Sequence, residues 1–136
     1  MNELATTIEQ SKKLVELGLN PDTADMHYSA DMYDSNYDLD IGKGIYEELP
    51  NWVGTKSRPV DIPAWSLVAL TNLMPDYIKE DYNEYTFRII PTAFGKEVSY
   101  WNSDTDRVLE FFRGDLLDAS YNMVVWLLEH KHINTK

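Results

Sequence analysis

The chain has 136 residues, 43% of them apolar, with a formal net charge of −11 and no cysteine. That length suits a single domain, and the apolar share is enough for a real core, which argues against intrinsic disorder. The missing cysteine excludes disulfides, thiol nucleophiles and thiolate metal centres, and the acidic balance disfavours contact with phosphate backbones.

The opening stretch MNELATTIEQSKK has neither the basic leader nor the apolar run of a signal peptide. The longest apolar run, MVVWLL, is far short of the roughly 20 residues that a bilayer span requires. A cytoplasmic protein is therefore expected. Thr6 and Glu9 stand at capping-box spacing and Gly18 at a natural stop, which predicts a first helix over Ile8–Leu17. Asn20 before Pro21 predicts a second, short helix. The pair does not read as a DNA-binding helix-turn-helix, because its second member is short and acidic.

In MYDSNYDLDIGKG, from Met32 to Gly44, oxygen-bearing side chains fall at every second position: Asp34, Asn36, Asp38 and Asp40. A calcium loop started at Asp34 would need glycine at its sixth place and glutamate at its twelfth. Leu39 and Ile45 stand there instead. Starting at Asn36 puts Gly42 one place too late. The intervening Tyr33, Tyr37, Leu39 and Ile41 occupy the opposite parity, so the stretch reads as a strand with one acidic face. Asp and Asn are poor strand formers, which suggests a sheet edge. Between Asp22 and Glu48 there are eight acids against Lys43 alone, an excess of seven negative charges. That concentration would attract a basic protein, though it also serves solubility.

IYEELPNWVGTKSRPV reads as a loop with a short strand near Ile45–Glu48. Trp52 in its middle is either a lid on the core or a binding anchor. DIPAWSLVALTNLMP predicts a helix over Pro63–Met74, capped by Asp61 and closed by Pro75. Tyr85–Ile90 and Val98–Asn102, joined at Gly95, predict a hairpin, with Pro91 marking a strand end or an edge. A further strand is expected at Val108–Phe112. The last helix, Leu116–His130, is capped by Asp115, so the RGD triplet at Arg113–Asp115 reads as a helix entry.

Catalytic signatures are missing: the chain has no G-x-S-x-G, no phosphate-binding glycine loop and no carboxylate pair in an apolar setting. His27 stands alone, and a helix would place His130 and His132 about 200° apart, so no metal or cofactor is expected.

The stretches QSKKLVELGLNPDTADM, DIPAWSLVALTNLMP and LLDASYNMVVWLLEH together resemble small uncharacterised proteins of gut anaerobic bacteria and their prophages or other mobile elements, a group with no assigned activity. The resemblance implies a phage-related accessory protein and supplies no site residue.

The residues read as one α+β domain spanning 1–136, with a small, mainly antiparallel sheet of three to five strands packed by about three helices. The expected function is a non-enzymatic, acidic protein-interaction module for a basic partner, contacted through Asp34, Tyr37, Asp38, Asp40 and Trp52. The alternative is a ligand-binding or hydrolase domain with a pocket near Trp52, His27 and the Tyr33–Ile41 strand.

Overall fold

A computed structural model describes residues 4–30, 37–42, 61–93 and 95–133. Helix α1 runs from Ile8 to Glu16. Its capping box is Thr7 with Gln10, one place later than the sequence suggests: the Thr7 hydroxyl accepts from Gln10 N, and the Gln10 side chain accepts from Thr7 N. Thr6 is drawn inward instead. Its buried hydroxyl shares a 2.7 Å bond with Ser11 and accepts from Trp65 N. The helix closes through Gly18, at φ 100°, with Gly18 N donating to Val15 O and Leu19 N to Leu14 O. Leu19 is thereby folded into the core, the hydrophobic partner of a Schellman ending. A 3-10 turn follows at Pro21–Thr23, capped by the Asn20 side chain as expected.

Three strands then form the first sheet: β1 (Met26–Ala30), β2 (Tyr37–Ile41) and β3 (Ile62–Ala64), in the order β2-β1-β3 and antiparallel throughout. The alternating YDLDI segment is a strand and lies at an edge, as its composition implied. Positions 31–36 and 43–60 lie outside the described residues, as do the earlier half of the expected Tyr33–Ile41 strand and the expected Ile45–Glu48 strand.

The helix expected from Pro63 is shorter, and Asp61 does not cap it. Ile62, Pro63 and Ala64 pair with Tyr28, His27 and Met26, and helix α2 (Leu67–Leu73) begins only after Ser66, whose hydroxyl accepts from Ala69 N. Pro63 thus occupies a strand, where its missing N–H costs little. Ser66 is itself anchored: its amide and its hydroxyl both donate to the Asp25 carboxylate.

The second sheet is a meander, β4 (Tyr77–Glu80), β5 (Asn83–Thr92), β6 (Gly95–Asn102) and β7 (Arg107–Gly114), with neighbours in chain order. The β5–β6 hairpin and β7 follow the expected positions, whereas β4 is an addition. Phe87 N donates to Asp76 O, so the amide positions two and four residues on, including that of Pro91, face the side where β4 has ended. Proline therefore removes no ladder bond. A Cβ at Gly95 would sit 2.6 Å from Gly114 O, so only glycine fits where β6 begins beside the end of β7.

Helix α3 (Leu116–Glu129), capped by Asp115, lies across β6 and β7, and α2 packs on α3. One buried cluster joins the second sheet to the three helices, with Trp65 entering it from just beyond β3: Leu14 and Leu19, Trp65 and Leu70, Ile78 and Tyr85, Val98 and Tyr100, and Met123, Val124 and Leu127. Trp65 is the largest fully buried side chain among the described residues and donates its indole N–H to Thr23 Oγ1. The architecture is α+β, with the strands divided between two sheets where one was expected.

Candidate interaction surface

Gly42 N donates to Asp25 O at 2.8 Å, which fixes the alternation along the antiparallel β1–β2 pair. Residues of the same parity, Asp38 and Asp40, turn their backbone groups toward β1. Those of Tyr37, Leu39 and Ile41 face outward. Among the described residues no strand meets that edge. The opposite side of the sheet is closed: Ala5 bridges Ser66 and Thr6 N donates to Trp65 O, extending β3.

Register places Asp40 opposite His27, and Asp38 opposite Ser29, on one face of this sheet; Tyr37 falls opposite Ala30 on the other. The expected partner-binding residues are therefore split between two faces. Asp34 and Trp52 lie outside the described residues. Asp40 is exposed. Ile41, on the Tyr37 face, is 85% exposed, while Tyr28 on that face donates its hydroxyl to Thr6 O and ties the sheet to the N-terminal segment. His27 donates from Nδ1 to Gly42 O at 2.8 Å, which commits that nitrogen as the protonated one and locks the end of β2.

The four-stranded sheet has a second open surface. The face turned to α3 carries Ile78, Tyr85, Phe87, Val98 and Tyr100. Burial, and secondarily the negative charge of Asp76, push the Tyr100 phenol well above its ordinary pKa, and its hydroxyl donates to Pro75 O at 2.7 Å. The other face shows three cross-strand rows: Tyr77, Thr86, Trp101 and Val108; Arg88, Ser99 and Phe111; Ile90, Glu97 and Arg113. A bulge that skips Leu109 brings Val108 and Phe111 onto one face despite their odd spacing.

Glu97, only 4% exposed, organises that face. One of its oxygens accepts from Arg113 Nε at 2.9 Å, and the other lies 3.6 Å from an Arg88 terminal nitrogen. Arg88 also donates from Nε to the buried Ser99 hydroxyl. The Arg88 guanidinium lies 4.4 Å from the Trp101 ring centre, and that of Arg113 lies 4.7 Å from the Phe111 ring centre. The alternation of Thr86, Arg88 and Ile90 is legible along the chain. That Arg88 and Arg113 converge on Glu97 depends on the register of three strands, which is not.

At the end of α3 the expected helical separation of His130 and His132 does not hold. The helix stops, Lys131 adopts φ 60°, and His132 N donates back to Leu127 O. His132 then stacks on Trp126 while His130 lies tilted against the same ring, and His132 Nε2 lies 3.5 Å from Glu80. Among the described residues no group of three or more His, Asp or Glu side chains is arranged to hold a metal ion. A shallow groove of about 440 Å³ is lined by Thr23, Asp25, Val68, Ala69, Asn72 and Leu73, on the side of α2. No helix of the described residues is long and apolar enough to cross a membrane.

The fold and its open surfaces define an α+β domain with two antiparallel sheets. No protein-family model, curated protein or solved structure matches the chain.

Proposed function

We propose that the chain is a non-enzymatic protein-interaction module that takes an extended basic segment along the open edge of β2. The observation that carries this reading is the outward row of backbone groups at Tyr37, Leu39 and Ile41, beside the exposed carboxylate of Asp40. Strand addition would supply affinity through main-chain hydrogen bonds. Asp38 and Asp40, at every second position, would select lysine or arginine side chains on the same face. The excess negative charge of the Asp22–Glu48 region would speed the encounter and exclude acidic competitors. Such a module suits an accessory protein of a mobile element that neutralises a basic partner.

The test uses a fluorescein-labelled peptide of alternating Lys and Val, with an alternating Glu and Val peptide as control, read by fluorescence anisotropy over a salt series. Binding of the Lys peptide should weaken with salt. In the D38N/D40N double variant it should fall about tenfold, the sum of two charge pairs. Equal binding of both peptides, or an unchanged affinity in the double variant, would contradict the reading.

A further inference from the structure

The outer face of the four-stranded sheet is built in a way that solubility does not require. A solvated sheet face is ordinarily polar, yet this one exposes Tyr77, Val108 and Phe111 and lays Trp101 among them. It also commits a nearly buried carboxylate, Glu97, to holding two guanidinium groups against aromatic rings. Burying a charge is costly unless it is paired and hydrogen-bonded, and here both oxygens are engaged.

The result is a pair of oriented cations on an apolar shelf. Arg113 is the more open of the two, with a side chain 57% exposed. Its Nε is spent on Glu97, and its two terminal nitrogens have no partner among the described residues. A guanidinium held over a ring with its terminal nitrogens open presents the fork that a carboxylate accepts bidentately. Where the three ionised groups meet at Glu97, two arginines against one glutamate leave one excess positive charge on a chain of net charge −11, while the Asp106 carboxylate is taken up by the Trp101 indole N–H.

We infer that this face is a second protein-binding surface, and that its partner is a peptide segment placing a carboxylate on Arg113 beside an aromatic or aliphatic side chain on the Tyr77–Trp101–Val108 row. Arginine, tryptophan and tyrosine are the residues on which interface affinity most often concentrates. Charge complementarity selects an acidic group over a basic one. A nucleic acid is disfavoured because a single excess positive charge cannot track a phosphate backbone against the repulsion of the rest of the chain. The surface lies on a different sheet from the β2 edge and takes the opposite chemistry, so the two readings stand or fall separately.

The test is selection from a displayed library of short random peptides against the full chain, followed by titration of the enriched peptides against R113Q, R113K and W101A. Circular dichroism of each variant establishes that it is folded. Enriched peptides should carry Asp or Glu next to an aromatic or aliphatic residue. R113Q should weaken them at least about tenfold, with R113K intermediate because it keeps the charge and loses the fork. D40N should bind them as the parent chain does. No enrichment, enrichment of basic peptides, or equal binding by folded R113Q would overturn the inference. So would tighter binding of a single-stranded oligonucleotide than of the peptides, or sedimentation showing that the face is occupied by a second copy of the chain.

Discussion

Among the described residues, the first sheet is open along an edge, and the second is open across a face. In the three-stranded sheet, β3 is closed off by Ala5 and Thr6, whereas β2 runs five residues in unbroken register and turns the backbone groups of Tyr37, Leu39 and Ile41 outward. In the four-stranded sheet both edges carry the features that discourage pairing: β4 is only four residues long, and β7 has a bulge and carries Arg107, Glu110 and Arg113. Its exposure lies instead in the side chains around Glu97. An open strand edge recruits by backbone geometry and needs charge to choose among partners. In the proposed function the Asp38 and Asp40 positions would supply that choice, and like charges there would discourage two identical edges from pairing. An open side-chain face recruits by shape and chemistry and needs its charges held rigid, as Glu97 holds Arg88 and Arg113.

The comparison assumes that the two sheets are parts of one cooperative unit, and the largest effect tests that. Trp65 is fully buried at the end of β3 and belongs to the cluster shared with α3 and the second sheet. W65A should cost about 3–5 kcal/mol, the range for removing a buried aromatic, and should lower the denaturant midpoint of both sheets together. Amide signals of the four-stranded sheet that keep the parent midpoint would separate the sheets.

Removing Glu97 would sharpen the contrast between edge and face. E97A should cost about 2 kcal/mol, because a buried carboxylate loses one charge-assisted hydrogen bond and one longer ion pair, discounted for the partly exposed arginines. Urea denaturation would measure it, and binding of the Lys/Val peptide at β2 should be unchanged.

Alkali probes the covered face of the same sheet. The Tyr100 pKa is raised in the folded chain, so the fold favours the neutral phenol. Its contribution is complete below the ordinary phenol pKa of about 10 and is lost as pH rises above it, where the unfolded chain ionises first. Denaturant midpoints should fall with pH in that range, and Y100F should show a shallower fall.

The smallest effect lies at the β4–β5 hairpin, where Asp81 and Tyr82 both have positive φ, 52° and 68°. That is the pattern of a type I′ turn, which favours Asn-Gly. Y82G should stabilise by up to about 1 kcal/mol, seen as a higher thermal midpoint. A loss would show that the exposed Tyr82 ring contributes contacts that outweigh the backbone strain.

Local signals reached the sequence where a single segment suffices. The alternation of YDLDI, the Asn20 and Asp115 caps, and the β5–β6 hairpin follow from side-chain period and capping chemistry. Strand β1, MHYSA, was not legible, because a short mixed segment becomes a strand only between two partners. Strand β4 hid behind a turn lacking its usual residues, and Pro63 looked like a helix start because both a first helical turn and a strand tolerate proline. Of the candidate site, the acidity of Asp38 and Asp40 is visible in the chain. That their strand is an open edge, and that Arg88, Glu97 and Arg113 meet, depends on which strands pair.

The most direct measurement is residue-resolved amide hydrogen exchange with and without the Lys/Val peptide. In the free protein the amides of Asp40 and Gly42, bonded toward β1, should be protected, while those of Leu39 and Ile41 should exchange quickly. Adding the peptide should slow Leu39 and Ile41 selectively. Leu39 and Ile41 amides already protected in the free chain, or unchanged when the peptide is bound, would contradict the open edge on which the proposed function rests.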